Sequence, residues 1–257
     1  MVETNMQIIS DFSAFSNSHM AAIGLTFLLP VILSLIVRRS KSAQLTTMVC
    51  YAYALVLLGQ EFAMFGWRLI SFGWMDEDGL LSHLPFHICG VLVFLISVML
   101  IRRKQKLYEV SYFCGLVGTF GALVLPNLAA GEGFPSFRFI QYFMAHGGII
   151  GGVLFATWGL RMRPTTKGLF QSFLAINGYM VIAALLNLLI RQWVPETNYM
   201  FLCEPPEIPL REVIFFLPHP WYILFLDLLT LILFIFVYLP FLIIDLIQKN
   251  KISGRQN

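Results

Sequence analysis

Five ionisable side chains interrupt otherwise apolar stretches of this sequence: Glu61, Arg68, His87, His146 and Asp227. An ionisable group inside a bilayer is costly and normally faces a bundle interior or cavity, so each is a candidate for chemistry. The imidazoles of His87 and His146 are groups that take and return a proton near neutral pH. The carboxylates of Glu61 and Asp227 suit the task of orienting such an imidazole. Cys89 follows two residues after His87, and its thiol is a nucleophile once ionised. The set suits acid–base and nucleophilic catalysis such as hydrolysis, with His87 as general base, His146 as a second acid/base or oxyanion donor, and Cys89 or a bound water as nucleophile. The same charges suit a substrate or proton relay in a transporter. In a purely structural reading the charges pair with one another and the histidines donate to backbone carbonyls, as interhelical glue. His83 and His87 have the i, i+4 spacing of metal ligands, but no other pair among these groups does, so neither a metal site nor any cofactor is expected.

The elements that must position these groups are membrane helices. Of the 257 residues 58% are hydrophobic and 12% charged, about half the charged share of soluble domains, which excludes a soluble globular protein. A net charge of +3 with no basic run among stacking aromatics excludes a nucleic-acid partner and leaves membrane lipids as the expected one. Apolar runs of the length needed to cross a ~30 Å hydrocarbon core lie near residues 20–37, 45–70, 84–101, 107–126, 139–160, 168–190 and 220–245. The expected fold is therefore all-α, a seven-span bundle forming a single domain over residues 1–257. The first run has acidic Glu3 and Asp11 before it and Arg38, Arg39 and Lys41 after it, the pattern of a retained anchor rather than a cleaved signal.

Thirteen of the seventeen lysines and arginines fall in the loops after spans one, three and five and in the C-terminal tail. Cytoplasmic loops are enriched in these residues, so the N-terminus is expected outside and the C-terminus in the cytoplasm. Trp67, Trp74, Trp193, Trp221 and Tyr222 cluster at the outer ends, as interfacial anchors do. All six lysines lie outside the spans, which removes a retinal Schiff base. No phosphate loop, HExxH pair or GxSxG elbow is present. The four cysteines form no CxxC pair, so neither a zinc site nor a disulfide framework is signalled.

Placed on these spans at ~1.5 Å per residue, Glu61, Arg68, His87, His146 and Asp227 all fall in the outer half. Asn127 at the end of span four and Asn187 late in span six join them, while the inner half is nearly all apolar. A shared depth points to one outward-facing polar cavity. Span five carries His146-Gly147-Gly148-Ile149-Ile150-Gly151-Gly152, overlapping GxxxG patterns that let neighbouring helices approach closely. Span four, with Cys114, Gly118 and Ala122, is a candidate partner.

Leu84-Pro85-Phe86-His87-Ile88-Cys89, then Arg138-Phe139-Ile140-Gln141-Tyr142-Phe143 leading to His146-Gly147-Gly148, then Asn198-Tyr199-Met200-Phe201-Leu202 and Pro220-Trp221-Tyr222 occur in that order. In this the chain resembles the YwaF-like family of bacterial integral membrane proteins, over about residues 20 to 245, a family similar to the eukaryotic transmembrane protein 164 group. The resemblance implies a bacterial plasma-membrane protein and acyl transfer between phospholipids, with a cysteine nucleophile directly before the span-three histidine. Here that position is Phe86, so the nucleophile is missing unless Cys89 replaces it. Leu217 and His219 stand where glycine and tryptophan are expected, which counts against His219 as a functional residue. Arg138, Gln141, Asn198 and Tyr199 join Arg68, Asn127 and Asn187 as candidate binding residues.

Overall fold

The computed structural model describes residues 11–76, 79–206, 208 and 211–253. Among them are eight α-helices and one 3-10 turn, with no strand: α1 (Asn17–Ser40), α2 (Ala43–Phe72), α3 (Ile88–Arg102), α4 (Gln105–Val124), α5 (Phe137–Trp158), α6 (Thr166–Ile190), α7 (Arg211–Ile214) and α8 (Trp221–Ser253), with the 3-10 turn Tyr199–Phe201 between α6 and α7. Serine and threonine start four of the long helices. Ser16, Ser42, Ser136 and Thr165 each accept a hydrogen bond from the backbone N–H three residues on, satisfying a donor the first turn would leave unpaired. Lys41 and Arg103 close the short α1–α2 and α3–α4 turns with left-handed φ of 51° and 50°. These turns and the α5–α6 loop gather at one end of the bundle, where Arg103 donates to Thr47 and Gln105 to the Arg163 carbonyl. This end is the basic face.

Six of the helices are long and apolar enough to span a membrane. The seventh span, α3, has 15 residues, or ~22 Å of helix against a ~30 Å core. Its missing depth lies at the opposite face, where the 79–87 segment runs in non-helical turns. Helix therefore begins at Ile88 rather than 84. Phe86 N–H turns back onto the Leu84 carbonyl, and Pro85 lies so close to Gly90 that a Cβ there would sit 2.7 Å from the Pro85 Cα. His87 thus becomes the N-cap of α3 instead of a residue within its first turns.

Helices α3, α4 and α5 form the centre, with Leu92, Ile96, Phe113, Ile149 and Val153 fully buried. α1 and α2 pack on one flank, α6 and α8 on the other. The α5 glycines are the contact points: a Cβ would meet Thr26 of α1 at Gly147, Leu57 of α2 at Gly148, the Tyr53 hydroxyl at Gly151 and Ile96 of α3 at Gly152. The close packing expected of the GxxxG patterns is present, but it brings in α1, α2 and α3. Helix α4 also packs on α5, through its own Gly115 against Val153 and Ile149. Tyr222 departs from its expected role as an interfacial anchor: it is 1% exposed, and its hydroxyl donates to the Phe201 carbonyl. A buried tyrosine takes a hydrogen-bond partner, and the irregular 199–201 backbone provides one. Trp74, Trp193 and Trp221 are exposed.

Candidate functional site

Three histidines lie in or at the ends of the long helices, and their nitrogens are used differently. His19, fully buried, has both committed: one ring nitrogen accepts from Phe15 N–H and the other donates to the Leu123 carbonyl, tying α1 to α4. His146 has one committed. Its Nδ1 lies 2.9 Å from the Tyr142 carbonyl, which can only accept, so the proton is on Nδ1 and the Nε2 lone pair is presented. The Tyr142 ring stacks on the imidazole at 4.2 Å, fixing its plane. His87 has neither nitrogen bonded among the described residues. Its ring is held by the Tyr199 and Phe201 rings at 5.5 and 5.1 Å.

The aromatic wall around His87 is itself anchored. Asn187 receives Tyr199 N–H and donates to the Tyr199 carbonyl, while the Tyr199 hydroxyl donates to Leu81 O. Asn198 accepts from Cys203 N–H and donates to the Glu204 carbonyl. These clamps hold Met200 and Phe201 at left-handed φ of 59° and 55°, a conformation costing a non-glycine residue ~1–2 kcal/mol. Such strain is sustained where surrounding contacts over-determine it. Asn187, Asn198 and Tyr199 accordingly spend their polar atoms shaping the wall. Tyr179 of α6 donates to the Phe86 carbonyl, and the Phe86 ring packs edge-on against Tyr199. The position that a cysteine would occupy is a structural phenyl here.

On the other side of α3, a continuous polar chain descends between α2 and α5. Glu132, in the α4–α5 loop, accepts from Arg138, and Arg138 donates to the Gln141 side-chain carbonyl, with its guanidinium over Trp67. Gln141 donates to Gln60, which donates to Glu61 at 3.3 Å. Glu61 is 8% exposed and held by this chain rather than by Arg68. Glu61 and Tyr142 both lie within electrostatic reach of the Cys89 thiol, as Arg138 does of His146. Cys89 is free, and its sulfur makes only a long 4.0 Å contact with the Gly118 carbonyl. In the α2–α3 loop His83 neighbours His87, Arg68 and Arg138, and burial followed by the Arg68 charge lowers its pKa to about 4. Among the described residues no three His, Cys, Asp or Glu side chains gather as a metal site.

The structure thus joins Arg138, Gln141, Gln60 and Glu61 by hydrogen bonds, seats His146 on Tyr142, and sets His87 beside Tyr199 through the α3 cap. Asp227 stands apart from this group. It accepts from Asn177 in the α6–α8 seam, on the opposite flank of the central helices from Glu61. Asn127 is exposed after the end of α4. Gln60 was not visible as a site residue in the sequence; its adjacency to Glu61 was the one available signal. Tyr142, four residues before His146, is the helical neighbour whose carbonyl fixes the imidazole tautomer.

Two of the ordered motifs of the sequence, the Leu84–Cys89 segment and the Asn198–Leu202 turn, meet at His87, while the Arg138–Gly148 helix carries His146. No curated protein and no solved structure matches the chain. Residues 14–238, which contain every one of these motifs, match the TMEM164 family. This multi-pass helical membrane protein belongs to the TMEM164 family.

Proposed function

We propose that the protein transfers or hydrolyses acyl groups of membrane lipids at the face opposite the basic loops. With thirteen of seventeen basic residues at the other face, that is the outer leaflet of a bacterial cell membrane. The reading is carried by the contrast among the histidines: His19 is fully consumed by backbone, while His87 has neither ring nitrogen bonded among the described residues and His146 has only Nδ1 bonded. A histidine retained for helix packing alone would be satisfied like His19.

In the proposed reaction His87 removes the proton from a water, or from the hydroxyl of a lysolipid acceptor, as that oxygen attacks the ester carbonyl carbon. The tetrahedral oxyanion collapses and the acyl C–O bond breaks. The leaving alkoxide takes a proton from an imidazolium, with His146 the second acid/base. With Cys89 as nucleophile, the thiolate forms a thioester first and the acceptor oxygen displaces it. Glu61 is the carboxylate assigned to orient an imidazole.

The purified protein in liposomes with an acyl-labelled phospholipid, with and without a lysophospholipid acceptor, tests this. General-base loss costs on the order of 10²–10⁴-fold in rate, so His87→Gln at wild-type abundance should abolish label transfer. Cys89→Ala separates the two routes: loss of activity assigns the thioester, full activity the direct attack. Unchanged lipids in wild type, with solute uptake altered in a deletion strain, would instead support transport.

A further inference from the structure

A hollow of about 870 Å³ lies between α1 and α2 with α5 as its floor, on a neighbouring face of α5 from His146. Its walls are Leu25 and Leu29 of α1 and Ala52 and Val56 of α2, and its floor includes Met144 and the Gly147–Gly148 pair. The glycines create it. Without side chains they let Thr26 and Leu57 come against α5 on either side, so α1 and α2 both lie close to α5 yet stand apart from each other.

We propose that this groove is a binding site for one acyl chain of a membrane lipid whose head lies at the face opposite the basic loops. Its polarity runs the right way. Asn17 and Ser18 lie at the mouth, where α1 begins, and below them the polar lining groups are the hydroxyls of Thr26 and Tyr53, already donated to the Ala22 and Gly148 carbonyls. Those hydroxyls have already spent their protons, and the surrounding medium is hydrocarbon. From Ala21 to Leu33 the α1 wall is ~18 Å long, slightly more than one leaflet's half of a ~30 Å core. A partner helix does not fit inside, because a cylinder ~10 Å wide and ~30 Å long occupies on the order of 2,400 Å³. The volume sits within the ~300–1,000 Å³ typical of ligand sites. No histidine, cysteine or carboxylate lines the groove, so the lipid held here is resident, not reacting, and the site stands whether or not the catalytic reading does.

The test uses the full-length protein in liposomes containing a phospholipid with a photoactivatable diazirine in its acyl chain. After irradiation the adducts are mapped to peptides, and competition with unlabelled phospholipid measures saturation. Adducts are expected to be saturable and concentrated on the groove-facing residues of α1 and α2. Ala52→Phe and, separately, Val56→Phe place a ring in the groove at exposed positions. Each should reduce those adducts on the order of tenfold, the equivalent of about two methylenes lost from apolar contact. The lipid-facing control Leu185→Phe on α6 should leave them unchanged. Adducts spread evenly over α6 and α8 as well, insensitive to both groove variants, would overturn the proposal. So would a crosslink from the groove to another polypeptide in place of lipid.

Discussion

Gly90→Ala perturbs the hook that places His87 without touching the imidazole. A Cβ at position 90 would stand 2.7 Å from the Pro85 Cα and 2.9 Å from its Cβ. Ordinary contact begins near 3.4 Å, so Pro85 must retreat by about 0.7 Å. Proline has no rotamer with which to yield, and its φ is fixed by the ring, so the backbone moves. His87 lies two residues on, with its neighbour Phe86 hydrogen-bonded to Tyr179 on one side and Gly90 in helix on the other. Overpacking of this kind costs ~1–3 kcal/mol, and a catalytic group displaced by up to 1 Å loses on the order of 10² in rate. Thermal unfolding in detergent and acyl-label transfer in liposomes read the two effects separately. The expected result is a modest fall in melting temperature with a roughly hundredfold fall in transfer. Wild-type values for both would refute the idea that the Pro85–Gly90 contact sets the position of His87.

Four further outcomes are expected. His19→Gln, which cannot reproduce both backbone bonds, should lower membrane abundance and thermal stability, whereas His146→Gln should leave abundance near wild type and lower transfer on the order of 10²-fold or more; equal loss of abundance in both would erase the distinction between the histidines. Gly168→Ala should destabilise the basic end by ~1–3 kcal/mol, because its Cβ overlaps the buried Glu109 carboxylate that accepts from Thr165; unchanged unfolding would contradict that packing. His83, with its pKa lowered from 6.5 to about 4, is bound neutral in the folded protein. Its contribution to stability is complete above pH 6.5 and is lost as pH falls toward 4, so the gap in melting temperature between wild type and His83→Asn should narrow over that window. Reporter fusions after Lys41, Lys104 and Lys167 and at the C-terminus should all report cytoplasm; external signals at two or more would invert the bundle.

Much of this architecture was legible because bilayer length acts on many residues at once. Where a span began was not legible at α3. Apolarity carries on through Leu84-Pro85-Phe86, while the turn that ends the helix depends on Pro85 meeting Gly90, a contact hydropathy does not register. Depth along a helix was readable, but azimuth was not. Glu61, His146 and Asp227 all lie in the half of the bundle away from the basic loops, yet Asp227 joins Asn177 because α8 packs on α4 and α6. The glycines of α5 announced close packing without naming the neighbours. Gln60 and Tyr142 stayed hidden because an amide and a tyrosine in an apolar run have no charge to mark them.

Phe86 takes part in the same geometry. Its carbonyl holds the Tyr179 hydroxyl and its ring meets Tyr199, whose backbone is locked to Asn187 and whose own ring faces His87. Residue 86 therefore acts on the imidazole through the aromatic wall rather than by bonding to it. Cys89 lies in the first turn of α3, with its sulfur 4.0 Å from the Gly118 carbonyl. Within the proposed chemistry a base without a preceding thiol is still complete, since an activated water or acceptor hydroxyl needs only the Nε2 or Nδ1 lone pair and a proton return path. Two histidines with unbonded nitrogens supply that pair. Phe86 thus contributes to the wall around His87, and within the proposed chemistry Cys89→Ala decides between the thioester and direct-attack routes.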